Sequence, residues 1–419
     1  MQNIEPPKIL SPAGDFISLR TAIAAGCDEL YFGIIGLNMR AGAKNFELKD
    51  IKKIVNICHS NDVKANLALN TIIYDNELGT VEKIIISAKK SGVDAIIAWD
   101  MAVINLCIKH KMNIHLSTQA SVSNIESLRF YKKNIPKLKR IILARECTLE
   151  DIKKIIDGIK KEKLDVEIET FIHGAMCVSV SGRCFLSQEL FNKSANRGEC
   201  LQPCRRKYDV LLKDPEEGHE LILGADYVMS PKDLCTIDII DQLIESGINV
   251  FKIEGRNKSP EYVKKVTECY RKIIDHYFDN KDKILKDPAA KKGFEKLKKD
   301  LKIELLDVFN RGFSTGFYLG KPVDEWHKDY GSDAKFKKEY SGKVMNYYPK
   351  IGVAEILIES STIIDDDDIM FQGPTTGIIE QIAENIKMHK IKDKNIMTLK
   401  TKDKVRINDK LYKIVRNKK

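Results

Sequence analysis

Short runs rich in β-branched and other apolar residues alternate along the chain with segments whose apolar positions recur every three or four residues. The first run is Lys8-Ile-Leu-Ser-Pro, followed by a helical pattern over Ile17–Ala25. Glu29–Gly33 precedes a helix over Leu48–His59, and Val63–Asn70 precedes one over Val81–Ser91. Ala95–Asp100 leads to Ala102–Lys109, Asn113–Ser117 to Ile125–Lys133, and Arg140–Arg145 to Leu149–Lys160. Val166–His173 is the seventh strand. The eighth unit comes late, with a helix over Ile237–Ser246, a strand over Asn249–Glu254 and a closing helix over Glu261–Tyr277. Period-2 and period-3.6 segments alternating in this way predict an α/β fold, a TIM-like (β/α)8 barrel. An open doubly wound sheet is the alternative, but Ser11-Pro-Ala-Gly-Asp15 lacks the glycines of a dinucleotide-binding turn.

The pattern divides the chain into residues 1–279, the barrel with a cysteine-bearing insertion at 174–236; residues 280–339, a charged helix and a Gly/aromatic connector; and residues 340–419. In that last part Tyr340–Met345, Ile351–Ile358, Ile369–Phe371, Ile396–Thr401 and Lys410–Val415 read as strands of a small antiparallel β-barrel. The Asp365–Asp368 run lacks EF-hand spacing and is expected to be a solvated hairpin turn rather than a calcium loop. In the connector, Phe309–Gly320 is expected to anchor the domains, with Arg311 its best candidate for a ligand-facing group.

A (β/α)8 barrel carries its chemistry where strands end at their C-terminal side. Those positions are Asp15, Arg40, Asn70, Asp100, Ser117-Thr118-Gln119, Arg145-Glu146, His173 and Glu254-Gly-Arg256. His173 shares parity with Glu167 and Glu169, so a regular strand would turn all three to one face. Such a set could work as a general acid and base, hold a metal, or form a hydrogen-bonded polar layer under the barrel mouth.

Composition adds little until the cysteines are placed. The 419 residues are 43% hydrophobic and 31% charged, with a net charge of +10. That charge is compatible with nucleic acid and equally with a lysine-rich solvated surface. No apolar run is long enough to span a bilayer and the first residues lack the apolar core of a signal peptide, so a cytoplasmic protein with no membrane partner is expected. Five of the ten cysteines, Cys177, Cys184, Cys200, Cys204 and Cys235, fall in the insertion. In a reducing compartment such a cluster points to metal rather than disulfides. Four thiolates suit a 4Fe–4S cluster; a zinc site competes, although its usual Cys-x2-Cys knuckles are absent.

Glu169–Cys184 (ETFIHGAMCVSVSGRC) resembles the signature of the collagenase-like U32 peptidase family. Ser11-Pro-Ala-Gly, Leu116-Ser-Thr-Gln119, Cys200-Leu-Gln-Pro-Cys-Arg205, Ser230–Cys235 and Asn310-Arg-Gly-Phe extend the resemblance over nearly the whole chain. The family includes peptidases as well as proteins of tRNA and ubiquinone hydroxylation. The resemblance implies a 4Fe–4S cluster on Cys177, Cys184, Cys200 and Cys235, with Cys204 lacking a clear counterpart and able to substitute. The C-terminal domain matches the tRNA-hydroxylation members, which implies prephenate-dependent 5-hydroxylation of wobble uridine. The partners implied are tRNA, prephenate as a small carboxylate co-substrate, and a homo- or hetero-oligomer with a related family member. Arg40, Arg145 and Arg256 are the candidates for the prephenate carboxylates, because guanidinium pairs carboxylate bidentately. The alternatives are a peptidase with His173 and Glu169 near the scissile bond, and a non-catalytic iron–sulfur or RNA-binding scaffold. No Gly-x-Ser-x-Gly or His-Glu-x-x-His motif is present.

Overall fold

A computed structural model describes residues 5–417 apart from 43, 181–182, 219, 227–228, 321, 323–324, 329–330 and 392–393; for 209–213, 220–226 and 391 only the backbone is described. Strands β1 (Lys8–Ala13), β2 (Glu29–Gly33), β3 (Lys64–Ala68), β4 (Ala95–Ala98), β5 (Ile114–Leu116), β6 (Leu138–Ile142) and β7 (Glu167–Gly174) pair in parallel, each with the next. Helices α1 (Phe16–Ala24), α2 (Ile51–His59), α3 (Leu78–Ser91), α4 (Met101–Lys109), α5 (Ile125–Asn134) and α6 (Leu149–Glu162) connect them. The insertion after β7 carries α7 (Leu186–Phe191), a hairpin β8 (Tyr208–Lys213) and β9 (Glu220–Asp226), and β10 (Asp233–Cys235). After α8 (Ile240–Glu245), β11 (Val250–Ile253) pairs in parallel with both β7 and β1 and closes an eight-stranded barrel. The expected strand–helix series is therefore the observed one.

Alternation sets the two faces of each strand. Leu30 and Phe32 turn outward into the layer shared with the helices, while Tyr31 joins Leu10, Ala68, Ile97, Ile142 and Phe171 inside. Helices meet that layer with one apolar stripe, as in α2, where Ile51, Ile54, Val55 and Cys58 are buried. Two of the rim positions are spent on helix starts. Asp15 accepts from the Ser18 amide and caps α1, and Asp100 accepts from the Ala102 amide and caps α4.

Strand β7 departs from regular alternation. Val250, Phe251 and Lys252 pair with Glu169, Thr170 and Phe171, but Ile253 pairs with His173, so Ile172 is an extra residue on β7. Glu169 and Phe171 point into the barrel, whereas His173 packs against Tyr262 and Tyr270 of α9 (Pro260–Lys286). The expectation that Glu167, Glu169 and His173 share a face is thus corrected by one bulge.

The 279/280 boundary falls within α9, which continues to Lys286 before α10 (Pro288–Leu305) packs back along it. The connector then adds β12 (Phe313–Ser314) beside β10. The last part is a seven-stranded antiparallel sheet of β13 (Phe336–Tyr348), β14 (Val353–Ile358), β15 (Asp368–Gly373), β16 (Gly377–Ile382), β17 (Lys387–Ile391), β18 (Lys394–Lys400) and β19 (Lys410–Arg416). Its ladder runs from β16 to β17 around a separate core that includes Val344, Ile356, Phe371 and Leu411. The aspartate run turns into β15, which begins at Asp368, but it is not the hairpin turn expected, because β14 and β15 are not partners: Asp365 accepts from the Ile386 amide, and Asp367 pairs with Lys413 at 2.7 Å. The domain docks on α1 and α9 through Lys338–Glu261 at 3.0 Å, Gln372–Glu261 at 3.1 Å and an ion pair between Lys264 and Glu380.

Candidate functional site

At the C-terminal end of the strands, the insertion and the loop after β2 roof a cavity of about 160 Å³. Two backbones touch to make the roof. The Gly42 amide donates to the Gly198 carbonyl at 3.2 Å, and a Cβ on Gly198 would fall 2.1 Å from the Asn38 carbonyl. Its φ of +84° is also one a side chain disfavours, so glycine is required there. Further bonds strap the insertion down. Arg197 pairs with Glu77, the Asn196 carbonyl accepts from Thr71 at 3.1 Å, and Arg183 donates to the Gln119 carbonyl at 2.6 Å.

Arg40, Arg145 and Arg256 all line this cavity, together with Asn70, Ser117, Thr118, Gln119, Glu146 and Glu254. Asn38 fixes the β2 loop by donating to the Ile34 carbonyl and accepting from the Arg40 amide, which sets the Arg40 side chain over the mouth. Arg40 donates twice to one Glu254 oxygen, at 2.9 and 3.1 Å; Arg145 stands 4.0 Å from the other. Burial opposes the Glu254 charge, but Arg40, Arg145 and Arg256 outweigh it and hold its pKa at about 2. Burial lowers the Arg256 pKa to about 10, and its Nη1 has no hydrogen-bond partner although the side chain is 5% exposed. Three guanidiniums thus share Glu254, and the five cations (Arg40, Arg145, Arg205, Lys252, Arg256) and two carboxylates (Glu146, Glu254) of the lining leave a formal excess of +3 that favours an anion.

Four cysteines line the same cavity: Cys177, Cys184, Cys200 and Cys204. The first three each accept an amide hydrogen from two residues on, Ser179, Leu186 and Gln202, all at 3.4 Å. Burial raises the Cys200 and Cys204 pKa, and each also feels the charge of the other cavity thiols. Cys235 accepts a similar bond from the Ile237 amide but lies elsewhere. It is 3% exposed, sits on β10 opposite His173, and has the Tyr270 hydroxyl 3.9 Å from its sulfur. Among the described residues, no three His, Cys, Asp or Glu side chains are close enough to hold a single ion.

The two acid–base candidates are outside the cavity. His173 is enclosed by Tyr262, Tyr270 and Phe313, and burial pushes its pKa down to about 3. Glu169 is fully buried lower in the barrel between Arg140 and Lys252. Among the described residues no histidine lines the cavity. Arg311 is held by Gln202 at 3.1 Å and lies 3.6 Å from Asp233; from the connector it is Phe317 that reaches the cavity. Lys252 and Arg205 line it too and were not among the sequence candidates. Lys252 carried a signal: with Glu254 it places charges at alternate positions of an otherwise apolar barrel strand.

The sequence profile described as Peptidase family U32 matches residues 14–328. A protein of Porphyromonas gingivalis named collagenase is 41% identical over 98% of both chains. The tRNA hydroxylation protein P1 of Bacillus subtilis is 33% identical over 91% of this chain and 86% of its own. The 23S rRNA 5-hydroxycytidine C2501 synthase of Escherichia coli is 34% identical, over 76% of this chain and 48% of its own.

Proposed function

Because the chain belongs to peptidase family U32, whose matched relatives include proteins named for RNA hydroxylation, we propose that it is an RNA-modifying enzyme that 5-hydroxylates the wobble uridine of tRNA with prephenate as co-substrate. One observation carries the reading: four thiols and three guanidiniums face one roofed cavity at the catalytic end of a (β/α)8 barrel. Replacing C5–H by C5–OH is a two-electron oxidation, which a barrel of ordinary side chains does not perform unaided. The balance requires an oxygen donor that gives up one oxygen atom and is itself reduced by two electrons, and a 4Fe–4S cluster bound to the thiols would supply electron transfer between donor and base.

The donor set fits that group. Four thiols lining one cavity are the right ligand type for a 4Fe–4S cluster. Cavity membership makes Cys177, Cys184, Cys200 and Cys204 the preferred set, with Cys235 replaced by Cys204. Arg145 and Arg256 would pair the carboxylates of prephenate, and Arg40, which donates to Glu254, would hold that carboxylate out of the way.

The collagenase-named relative favours a second reading, a peptidase. It would need an activated thiol or water in the cavity, and the two residues the sequence offered for acid–base work, His173 and Glu169, do not line it, which leaves Glu146 and Glu254 as the carboxylates there. Mass spectrometry of tRNA nucleosides from a deletion strain decides between the two: 5-hydroxyuridine and its derivatives should vanish and return on complementation. Their persistence, with gelatin cleavage by the purified protein that chelator abolishes, would establish the peptidase instead. Anaerobically purified protein should be brown with about four irons per chain. Cys204→Ser should lose the colour while Cys235→Ser keeps it; the reverse result restores Cys235 to the ligand set.

A further inference from the structure

A second groove of about 380 Å³ opens between the barrel and the C-terminal sheet. Five of the charged residues that line it are cations and one, Asp15, is a carboxylate, a net +4. Lys44, Arg256 and Lys258 come from the barrel side, and Lys338 and Lys410 from the sheet. Intramolecular ion pairs offset two of them, Lys44 and Lys338. Lys44 is 3.7 Å from Asp15 and Lys338 is 3.0 Å from Glu261, while Lys258 lies over the Phe309 ring. Burial holds the Lys258 pKa down at about 7, as expected of an ammonium lacking a full counter-ion. The N-terminus of the 27-residue helix α9 opens here as well, and its Ser259 makes no side-chain capping bond. Arg256, 95% buried and with its Nη1 unpartnered, lines both this groove and the cavity of the barrel mouth.

We infer that this groove binds the phosphodiester backbone of RNA, holding the strand whose base enters the cavity. Cations on two facing walls match the repeated charge of a polymer, whereas one small anion needs two or three donors. Tyr412 on the sheet wall adds an aromatic face beside the lysines. Arg256 joins the backbone track to the reacting centre, so strand and base are gripped on either side of one guanidinium. The substrate class rests on the proposed RNA modification; the groove's location does not.

The test is salt-dependent binding of unfractionated tRNA to the full chain, measured by filter retention, for wild type, Lys44→Glu/Lys410→Glu and a control, Lys49→Glu/Lys52→Glu, at the start of α2 and in the turn before it. The groove variant should bind about tenfold or more weakly with a shallower salt slope, and the control should match wild type. Equal affinity for wild type and groove variant, equal losses in both variants, or no binding by wild type overturns the inference. An inorganic phosphate arm at constant ionic strength separates the sources. If phosphate binding is lost in the groove variant while tRNA affinity is unchanged, the groove is a small-anion site and the inference fails. Groove-dependent tRNA binding in a protein whose deletion leaves tRNA nucleosides unchanged would preserve the groove and remove the hydroxylase. Circular dichroism of both variants guards against misfolding.

Discussion

The barrel holds two clusters of buried charge, one in its lower interior and one at its mouth, and they are built to opposite rules. Below, Arg140 donates to Glu29, Glu167 and Glu169, Lys252 donates to Glu169, and Lys8 to Glu167. Asn66 gives Glu29 a further bond at 3.0 Å. Three cations meet three carboxylates, so the layer is neutral and every charge is paired. Burial opposes the Arg140 charge, yet its carboxylates raise its pKa overall. At the mouth, three guanidiniums share Glu254 and Arg256 keeps an N–H without an acceptor. The same residue types, some one turn of the pleat apart, serve as scaffold where they are matched and as a binding surface where they are left in excess.

Arg140→Met tests the matched layer most severely. It leaves two buried carboxylates, Glu29 and Glu169, and the partly exposed Glu167 short of a partner and should cost about 3–5 kcal/mol in denaturant unfolding. A loss under about 1 kcal/mol would show that the layer is wet and not structural. Glu254→Gln comes next, because Glu254 is the mouth's shared counter-ion. Its pKa is depressed from 4.5 to about 2, so its stabilisation is present above pH 4.5 and disappears as pH falls to about 2. That shift corresponds to about 3 kcal/mol, and the variant's stability curve should lose this acid limb. A wild-type limb retained in Glu254→Gln would move the mouth's charge balance to another group.

His173→Phe should lower stability less at neutral pH and flatten its dependence in weak acid. The native imidazole stays neutral down to about pH 3, so wild type loses stability as pH falls below ~6.5, where the unfolded state takes up a proton, by about 2 kcal/mol between pH 6.5 and 5. Hydroxylation should survive within about twofold, since His173 does not touch the cavity; abolition with the fold intact would return it to the chemistry. The smallest effect on folding belongs to Arg256→Met, which removes an unsatisfied buried donor and should change stability by no more than about 1 kcal/mol. Nucleoside analysis of a strain carrying it should nevertheless show the modification lost. A large stability loss instead would place Arg256 with Arg140 as scaffold.

Much of this was legible in the chain. Strand ends pointed to Arg40, Asn70, Gln119, Arg145, Glu254 and Arg256, and all of them line the cavity. Asp15 and Asp100 satisfied the same rule but cap helices, because an acidic residue before a helix serves an N-terminus as readily as a ligand. Glu169 was read with three possible roles, acid–base, metal or polar layer, and the geometry pairs it in a polar layer with Arg140, which the sequence had offered only as the start of a strand.

The sequence by itself determined the barrel, since period and apolar alternation are local properties that each strand and helix records in its own residues. It also determined that thiols and guanidiniums would gather at one end, because the connectivity puts every β–α turn there. Only the tertiary structure decided which of them meet. One extra residue in β7, registered against β11, turned His173 from the barrel interior to the face of α9. The path of the insertion brought Cys204 to the cavity and buried Cys235 beneath it, a choice of partners between residues far apart in the chain. Bulge and loop path are set by contacts with distant strands, and no local pattern encodes them.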